Sequence, residues 1–322
     1  MIDARHEIDA RSEFIADSVN ALRRKGVVVG VSGGIDSSVT LGLAVEALGP
    51  SRVTAIALPE EESSRESHDD ALEVCRAFGV ELEVENIGEA LQALGVYAER
   101  DTVARELFGP DWNPSWGMRV LLKQDLRRSR MPGVYRVEVS PPGEKVRRTG
   151  LRSDQYQRLF AAYNHKQRIR TAVLYRWAEQ LRYAVLGTSN RNETFLGFFV
   201  RQGDGAWDIC PITDLLKSDV RELASELGVP ETLINKETTT DTFPAENHSQ
   251  VEFFYGLDFD VLDPLMRSLG SPTVDAIQEL AKNLSWTEDE VSCAIENLLM
   301  RHEATRWTWS DPIRFEPDSA IR

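Results

Sequence analysis

The run Gly26-Val27-Val28-Val29-Gly30-Val31-Ser32-Gly33-Gly34-Ile35-Asp36-Ser37-Ser38 constrains the fold more than any other part of the chain. Its β-branched start is a short strand of the kind buried on both faces. Gly33 and Gly34 break the strand, and residues 37–48 then read as a helix. A buried strand, a Gly-rich turn and a helix start together make an anion site. The glycines admit close backbone approach, and unpaired N–H groups and the helix dipole point at the bound charge. Ser32, Ser37 and Ser38 add hydroxyl donors, and Asp36 adds a carboxylate suited to magnesium. Two commoner phosphate loops are excluded. A Walker A loop needs a lysine that is absent here, and the glycines Gly30, Gly33 and Gly34 do not fit Gly-x-Gly-x-x-Gly.

The 322 residues, 42% of them hydrophobic, suffice for a large α/β domain with appendages. No apolar run approaches the ~20 residues of a membrane span. Residues 1–24 are polar and lack the apolar centre of a signal peptide. Cys75, Cys210 and Cys293 are widely separated, which suggests buried thiols in a reducing cytoplasm. The net charge of −15 argues against general nucleic-acid binding, but not against a local anion site. Basic residues nevertheless concentrate between positions 119 and 158. They read either as a solvated insertion or as a clamp over an anionic substrate.

Along the chain, residues 7–22 have helical apolar spacing, and strands are expected at 52–58 and 82–87. A helix at 67–78 with Ser67 as its cap lies between them. Regularity fails after residue 107, where 135–139 resembles one arm of a hairpin. A helix at 164–180, strands at 183–186 and 208–212 and a helix at 218–227 resume the alternation. A polar loop at 238–249 and helices near 273–284 and 287–301 follow. The expected class is α/β: a Rossmann-like open parallel sheet with helices on both faces. A catalytic domain of 1–260 would carry an insertion at about 105–160, and 261–322 would form a helical C-terminal extension. Ligands of such a sheet sit at the carboxyl ends of its strands. The turn at 32–38, Thr188 with Glu193, and residues 198–205 with Lys217 should therefore converge there.

The Ser-Gly-Gly-x-Asp-Ser turn resembles the PP-loop of ATP pyrophosphatases, whose fold is adenine nucleotide alpha-hydrolase-like. The longer order resembles the NAD synthetase family. It consists of Gly30–Ser38, Asn164-His-Lys-Gln-Arg-Ile-Arg170, Gly187-Thr-Ser-Asn-Arg-Asn-Glu193, Gly197-Phe-Phe-Val-Arg-Gln-Gly-Asp-Gly205, Asp208 through Lys217, and Lys236-Glu-Thr-Thr-Thr-Asp241. That resemblance implies ATP-dependent adenylation of the nicotinate carboxylate of nicotinic acid adenine dinucleotide. Ammonia then attacks the acyl-adenylate, giving NAD and AMP, with pyrophosphate released earlier. By matching position, Gly30, Ser32, Gly33, Gly34, Asp36, Ser37, Ser38, Leu58, Thr188, Lys217 and Thr239 are implied ATP contacts. Asp36 and Glu193 are implied magnesium ligands, Asp36 and Lys217 catalytic groups, and Asn164, Arg168, Phe198, Arg201 and Asp204 dinucleotide contacts.

The residue types suit that chemistry. A carboxylate attacking a phosphate is anion meeting anion, so metal and lysine must screen both. Three departures bear on the substrate. Arg201 and Gln202 replace the lysine and tyrosine common in the family, Ala57 replaces an arginine, and the insertion is long. They leave open a related amide ligase acting on another carboxylate, and a silent nucleotide-binding protein stands as a third reading. Only about 25 residues precede the first strand, too few for a glutaminase domain. The expected nitrogen donor is thus free ammonia, or ammonia passed from a separate protein. The family resemblance implies a homodimer, with no nucleic-acid or membrane partner.

Overall fold

The computed structural model describes residues 2–131, 133–236, 249–270 and 273–310. The chain runs α1 (Ala4–Ala21), β1 (Val27–Gly30), α2 (Ile35–Leu48), β2 (Val53–Ala57), α3 (Arg65–Ala77) and β3 (Leu82–Val84), then α4 (Gly88–Ala93) and α5 (Val96–Phe108). A three-stranded unit follows, made of β4 (Met118–Lys123), β5 (Val134–Val139) and β6 (Arg147–Gly150). The alternation resumes with α6 (Ser153–Leu181), β7 (Ala184–Leu186), α7 (Arg191–Leu196) and α8 (Lys217–Leu227). Then come α9 (Glu231–Ile234), a π-helical turn at Val251–Tyr255, α10 (Phe259–Arg267), α11 (Val274–Leu284) and α12 (Glu288–Thr305).

The central sheet is parallel, in the order β3-β2-β1-β7. Alternation within the strands separates its two faces. Val27 and Val29 pack with residues of α1, α2, α3 and α8, while Val28 packs with residues of α4, α5 and α6. Each fully buried valine contributes roughly 1.5–3 kcal/mol. The chain leaves β1 through α2 to β2 on one side and reaches β7 on the other, so the strand order reverses beside β1. A crevice opens at such a reversal, at the strands' carboxyl ends.

Several boundaries differ from expectation. The strand at 208–212 reduces to one parallel bridge between Leu186 and Ile209. Pro211 has no N–H with which to extend it. The cap of α3 is Ser64, whose hydroxyl accepts the Ser67 amide at 3.0 Å. Helix α6 begins about three turns before residue 164. The hairpin arm at 135–139 is the central strand of an antiparallel sheet ordered β4-β5-β6. Cys75, Cys210 and Cys293 are buried free thiols, as expected.

The basic segment finds its counter-charges within the chain. Arg119 and Arg148 pair with Glu138, Arg127 and Arg128 with Glu290, Arg130 with Glu296, and Arg158 with Glu99 and Glu106. The Glu138 pairs lie within the small sheet, while the others tie the β4–β5 connection to α12 and the start of α6 to α5. Six of the basic residues between positions 119 and 158 thus have carboxylate partners in the chain.

The β2–α3 loop is anchored by a buried charged cluster. Lys166 of α6 meets Glu60 at 3.0 Å and also Glu62, Arg100 of α5 pairs with Glu62, and the Tyr97 hydroxyl donates to Glu60 at 2.8 Å. Burial alone would raise the Glu60 pKa, but the charges of Lys166 and Arg170 and the Glu62 amide hold it below the ordinary carboxylate range. At Glu62 burial prevails, and the pKa is raised. The Lys166 and Glu60 side chains are both 0% exposed. Lys166→Met removes the one fully buried cation shared by Glu60 and Glu62 and leaves Glu60 without a close charge partner, so it should destabilise the fold by about 3–5 kcal/mol in urea unfolding. A loss below about 1 kcal/mol, typical of surface pairs, would contradict this anchoring role.

Candidate active site

The Gly-rich turn between β1 and α2 adopts the geometry its sequence requires. Gly33 has φ +80°, and a Cβ there would lie 2.6 Å from Asp70 Cβ and 2.7 Å from the Ser67 carbonyl oxygen. Gly34 caps α2 without a side chain, which leaves the first-turn amides open at the positive end of a 14-residue helix. The Ser37 and Ser38 hydroxyls donate to the Gly34 carbonyl at 2.8 and 2.9 Å. Ser38 is fully buried and braces the turn from inside. Ser32 is exposed, and its hydroxyl accepts the Gly34 amide at 3.3 Å.

Beside this turn stand two carboxylates and one lysine. Lys217, the first residue of α8, is fully buried and forms an ion pair with Asp36. Asn190 donates through Nδ2 to the other Asp36 oxygen at 3.1 Å. Asn190 also caps α7: its Oδ1 accepts the Glu193 amide at 3.0 Å, and its own amide donates to Glu193 Oε2 at 3.2 Å. This capping box therefore places Glu193 next to Asp36. Burial, then the charge of Asp36, push the Glu193 carboxyl well above its ordinary range, against the opposing pull of Lys217.

A pocket of about 520 Å³ opens over these groups. It is lined by Gly30 and residues 32–37, and by Leu58, Asn164, Thr188, Glu193, Phe198 and Asp204. Asp204 is exposed and accepts the Val200 amide at 2.7 Å. Phe198 stacks on Phe254 with ring centroids 4.6 Å apart. Facing aromatics come from β5 and α6, where Tyr156 and Phe160 lie 4.2 Å apart. The three polar clusters expected to converge do so, with Lys217 seated behind Asp36.

Two expected dinucleotide contacts lie elsewhere. Arg168 is exposed and outside the pocket lining. The α6 residues that line it, among them Phe160, Asn164, Gln167, Thr171 and Leu174, follow a helical period that leaves out position 168. Arg170 lies on the pocket face instead, with Nε donating to the Leu58 carbonyl at 3.4 Å. Arg201 turns away from the pocket and donates to the Trp307 and Ser310 carbonyls at 3.3 and 3.0 Å. The backbone reason lies in the turn that follows: Gly203 and Gly205 both donate to the Val200 carbonyl, and Gln202 has φ +61°. Thr239 lies outside the described residues.

Sequence reasoning gave no role to three features of the site. Asn190 was legible as an N-cap with glutamate three residues later. Tyr156 and Phe160 were legible as an i,i+4 aromatic pair. Lys236, at the pocket edge with Asp70 and at 3.2 Å from Glu66, opens the motif at 236–241 but received no role of its own.

Known proteins place the chain further. A family model described as NAD synthase matches residues 7–108 and 135–306. A protein named NH(3)-dependent NAD(+) synthetase from Rhizobium rhizogenes is 38% identical over 98% of this chain and 94% of its own length. One of the same name from Rhizobium meliloti is 36% identical over 99% and 94%. The solved NMN synthetase from Francisella tularensis has a TM-score of 0.67 at 21% identity, covering 99% of this chain and 100% of that one, a likeness of fold.

The raised Glu193 pKa has a measurable sign. An unfolded glutamate ionises near pH 4.3. Between there and the higher folded value, the folded state binds more protons, so the group's contribution to stability falls as pH rises. Glu193→Gln keeps an acceptor for the Asn190 amide and removes the charge. In ligand-free protein it should raise Tm at about pH 8, with the gain vanishing near about pH 4. An unchanged or lower Tm at the higher pH would refute the assignment.

Proposed function

This chain belongs to the NAD synthase family, and we propose that it amidates the nicotinate carboxylate of nicotinic acid adenine dinucleotide with ammonia, cleaving ATP to AMP and pyrophosphate. The observation that carries this reading is the convergence of a phosphate-type turn, the Asp36–Lys217 pair and Glu193 in one pocket. Near-full-length relatives named as NH(3)-dependent NAD(+) synthetases support it, and they give no support to another carboxylate substrate.

The nicotinate carboxylate oxygen attacks the α-phosphorus of ATP, and pyrophosphate leaves. Ammonia then attacks the acyl carbon, and AMP leaves with the bridging oxygen. The open amides after Gly33 and the Ser32 hydroxyl hold the pyrophosphate end. Ser37 and Ser38 keep the turn in shape. Leu58 and Thr188 flank the adenosine, while Phe198, Asn164 and Asp204 receive the dinucleotide. Lys217 offsets charge as it builds on the phosphates.

Asp36 and Glu193 would hold Mg²⁺. The described residues contain no group of three His, Cys, Asp or Glu suited to a metal. Two carboxylates beside a phosphate site are a donor set for a cation that completes its shell with phosphate oxygens and water. When bound, it would screen the phosphate charge. The finer expectations, a cytoplasmic homodimer using ammonia free or from a separate protein, belong to this proposal. No described helix is long and apolar enough to cross a membrane.

The test is product formation from the dinucleotide, ATP, Mg²⁺ and ammonium. NAD, AMP and pyrophosphate should appear in equal amounts, and Asp36→Ala should lower the rate at least about 100-fold. Absence of NAD with the unmodified protein would overturn the reading.

A further inference from the structure

Behind Lys217 lies a carboxylate that the site described so far does not use. Asp263 stands within α10, is 2% exposed and makes no ion pair among the described residues. One of its oxygens accepts Asn192 Nδ2 at 2.7 Å, and the other accepts the Ser218 amide, also at 2.7 Å. Asn192, itself 0% exposed, accepts the Lys217 amide on its Oδ1 at 3.0 Å. The first two amides of α8 are therefore held by one buried carboxylate, Ser218 directly and Lys217 through Asn192. A carboxylate so deeply buried is costly unless it is fully hydrogen-bonded. These two short bonds and the positive end of the 11-residue α8 offset that cost.

The consequence falls on the lysine. Lys217 is the residue whose backbone this network fixes, and its Nζ spans from there to Asp36. Phe259, one turn before Asp263, lies beneath the ammonium, with its ring centroid 5.6 Å away. Neither Asp263 nor Asn192 lines the pocket. We propose that Asp263 is a positioning residue for Lys217, acting through Asn192 and the start of α8, so that C-terminal helix α10 sets the aim of the buried ammonium that holds Asp36. This inference rests on the ATP-dependent reading of the pocket.

Asp263→Asn tests it, because an amide has one acceptor where the carboxylate has two. Either the Asn192 amide or the Ser218 amide then loses its partner. Partners that orient a reactive group are typically worth about 10–100-fold. The expected result is a kcat loss of that size with the KM for the dinucleotide within about twofold, and weaker Mg–ATP binding in calorimetry. The cycle with Lys217→Met is decisive. If Asp263 works through Lys217, Asp263→Asn has no further effect on rate or ATP affinity once the lysine is gone.

Arg130→Gln is the control. It removes an exposed pair with Glu296 of α12, remote from the start of α8, and should leave kcat unchanged. If Asp263→Asn does not fold, Asn192→Ala removes the relay alone and should give the same pattern. Equal losses with and without Lys217, no kcat loss, or an equal loss in Arg130→Gln would each overturn the proposal. The ATP-binding cycle reads the coupling even if the dinucleotide is not turned over, so it fails separately from the reaction assignment.

Discussion

The ion pair between Lys217 and Asp36 spans the point where the sheet reverses its strand order. Asp36 belongs to the first turn of α2, the helix after β1, and Lys217 is the first residue of α8, which follows α7 and the Ile209 bridge beside β7. A parallel sheet brings these two helix starts to one edge, and the reversal leaves a crevice between them. Asn190 completes the join by donating to Asp36 while capping the helix that carries Glu193. The locally formed anion-binding turn and the two carboxylates are brought to one pocket by that closure. Had β7 paired on the other edge, none of these groups would meet.

The paired charges also explain why the site is poised for a cation and a polyphosphate. One buried lysine faces two neighbouring carboxylates, and burial, with the Asp36 charge second, holds the Glu193 carboxyl above its ordinary range. Structural demands elsewhere are met differently. The acidic β2–α3 loop is balanced internally by Lys166 and Arg100, and the arginines of the inserted strands by glutamates of α5, α12 and β5.

Much of this was legible because local chemistry fixed it. The valine run, Gly33 and the helix after it admit one conformation, since a Cβ at position 33 meets α3. Asn190 and Glu193 encode their own capping box. What escaped sequence reading depends on direction around a helix or on distant partners. Arg168 and Arg170 are two residues apart in one motif, yet only Arg170 faces the pocket. Arg201 was expected at the substrate and instead holds the chain after α12, a choice set by carbonyls more than a hundred positions away. The aromatic wall joins β5, α6 and the π-helical turn, which no local pattern links.

The central claim is that this pocket activates a carboxylate by transferring AMP to it. Isotope transfer tests that most directly. Nicotinic acid adenine dinucleotide labelled with oxygen-18 in its nicotinate carboxylate should be turned over with ATP, Mg²⁺ and ammonia, and the products analysed by mass. The account predicts one labelled oxygen in AMP and none in pyrophosphate, because the bridging oxygen leaves with the adenylate. Label in pyrophosphate or free phosphate, with unlabelled AMP, would contradict it.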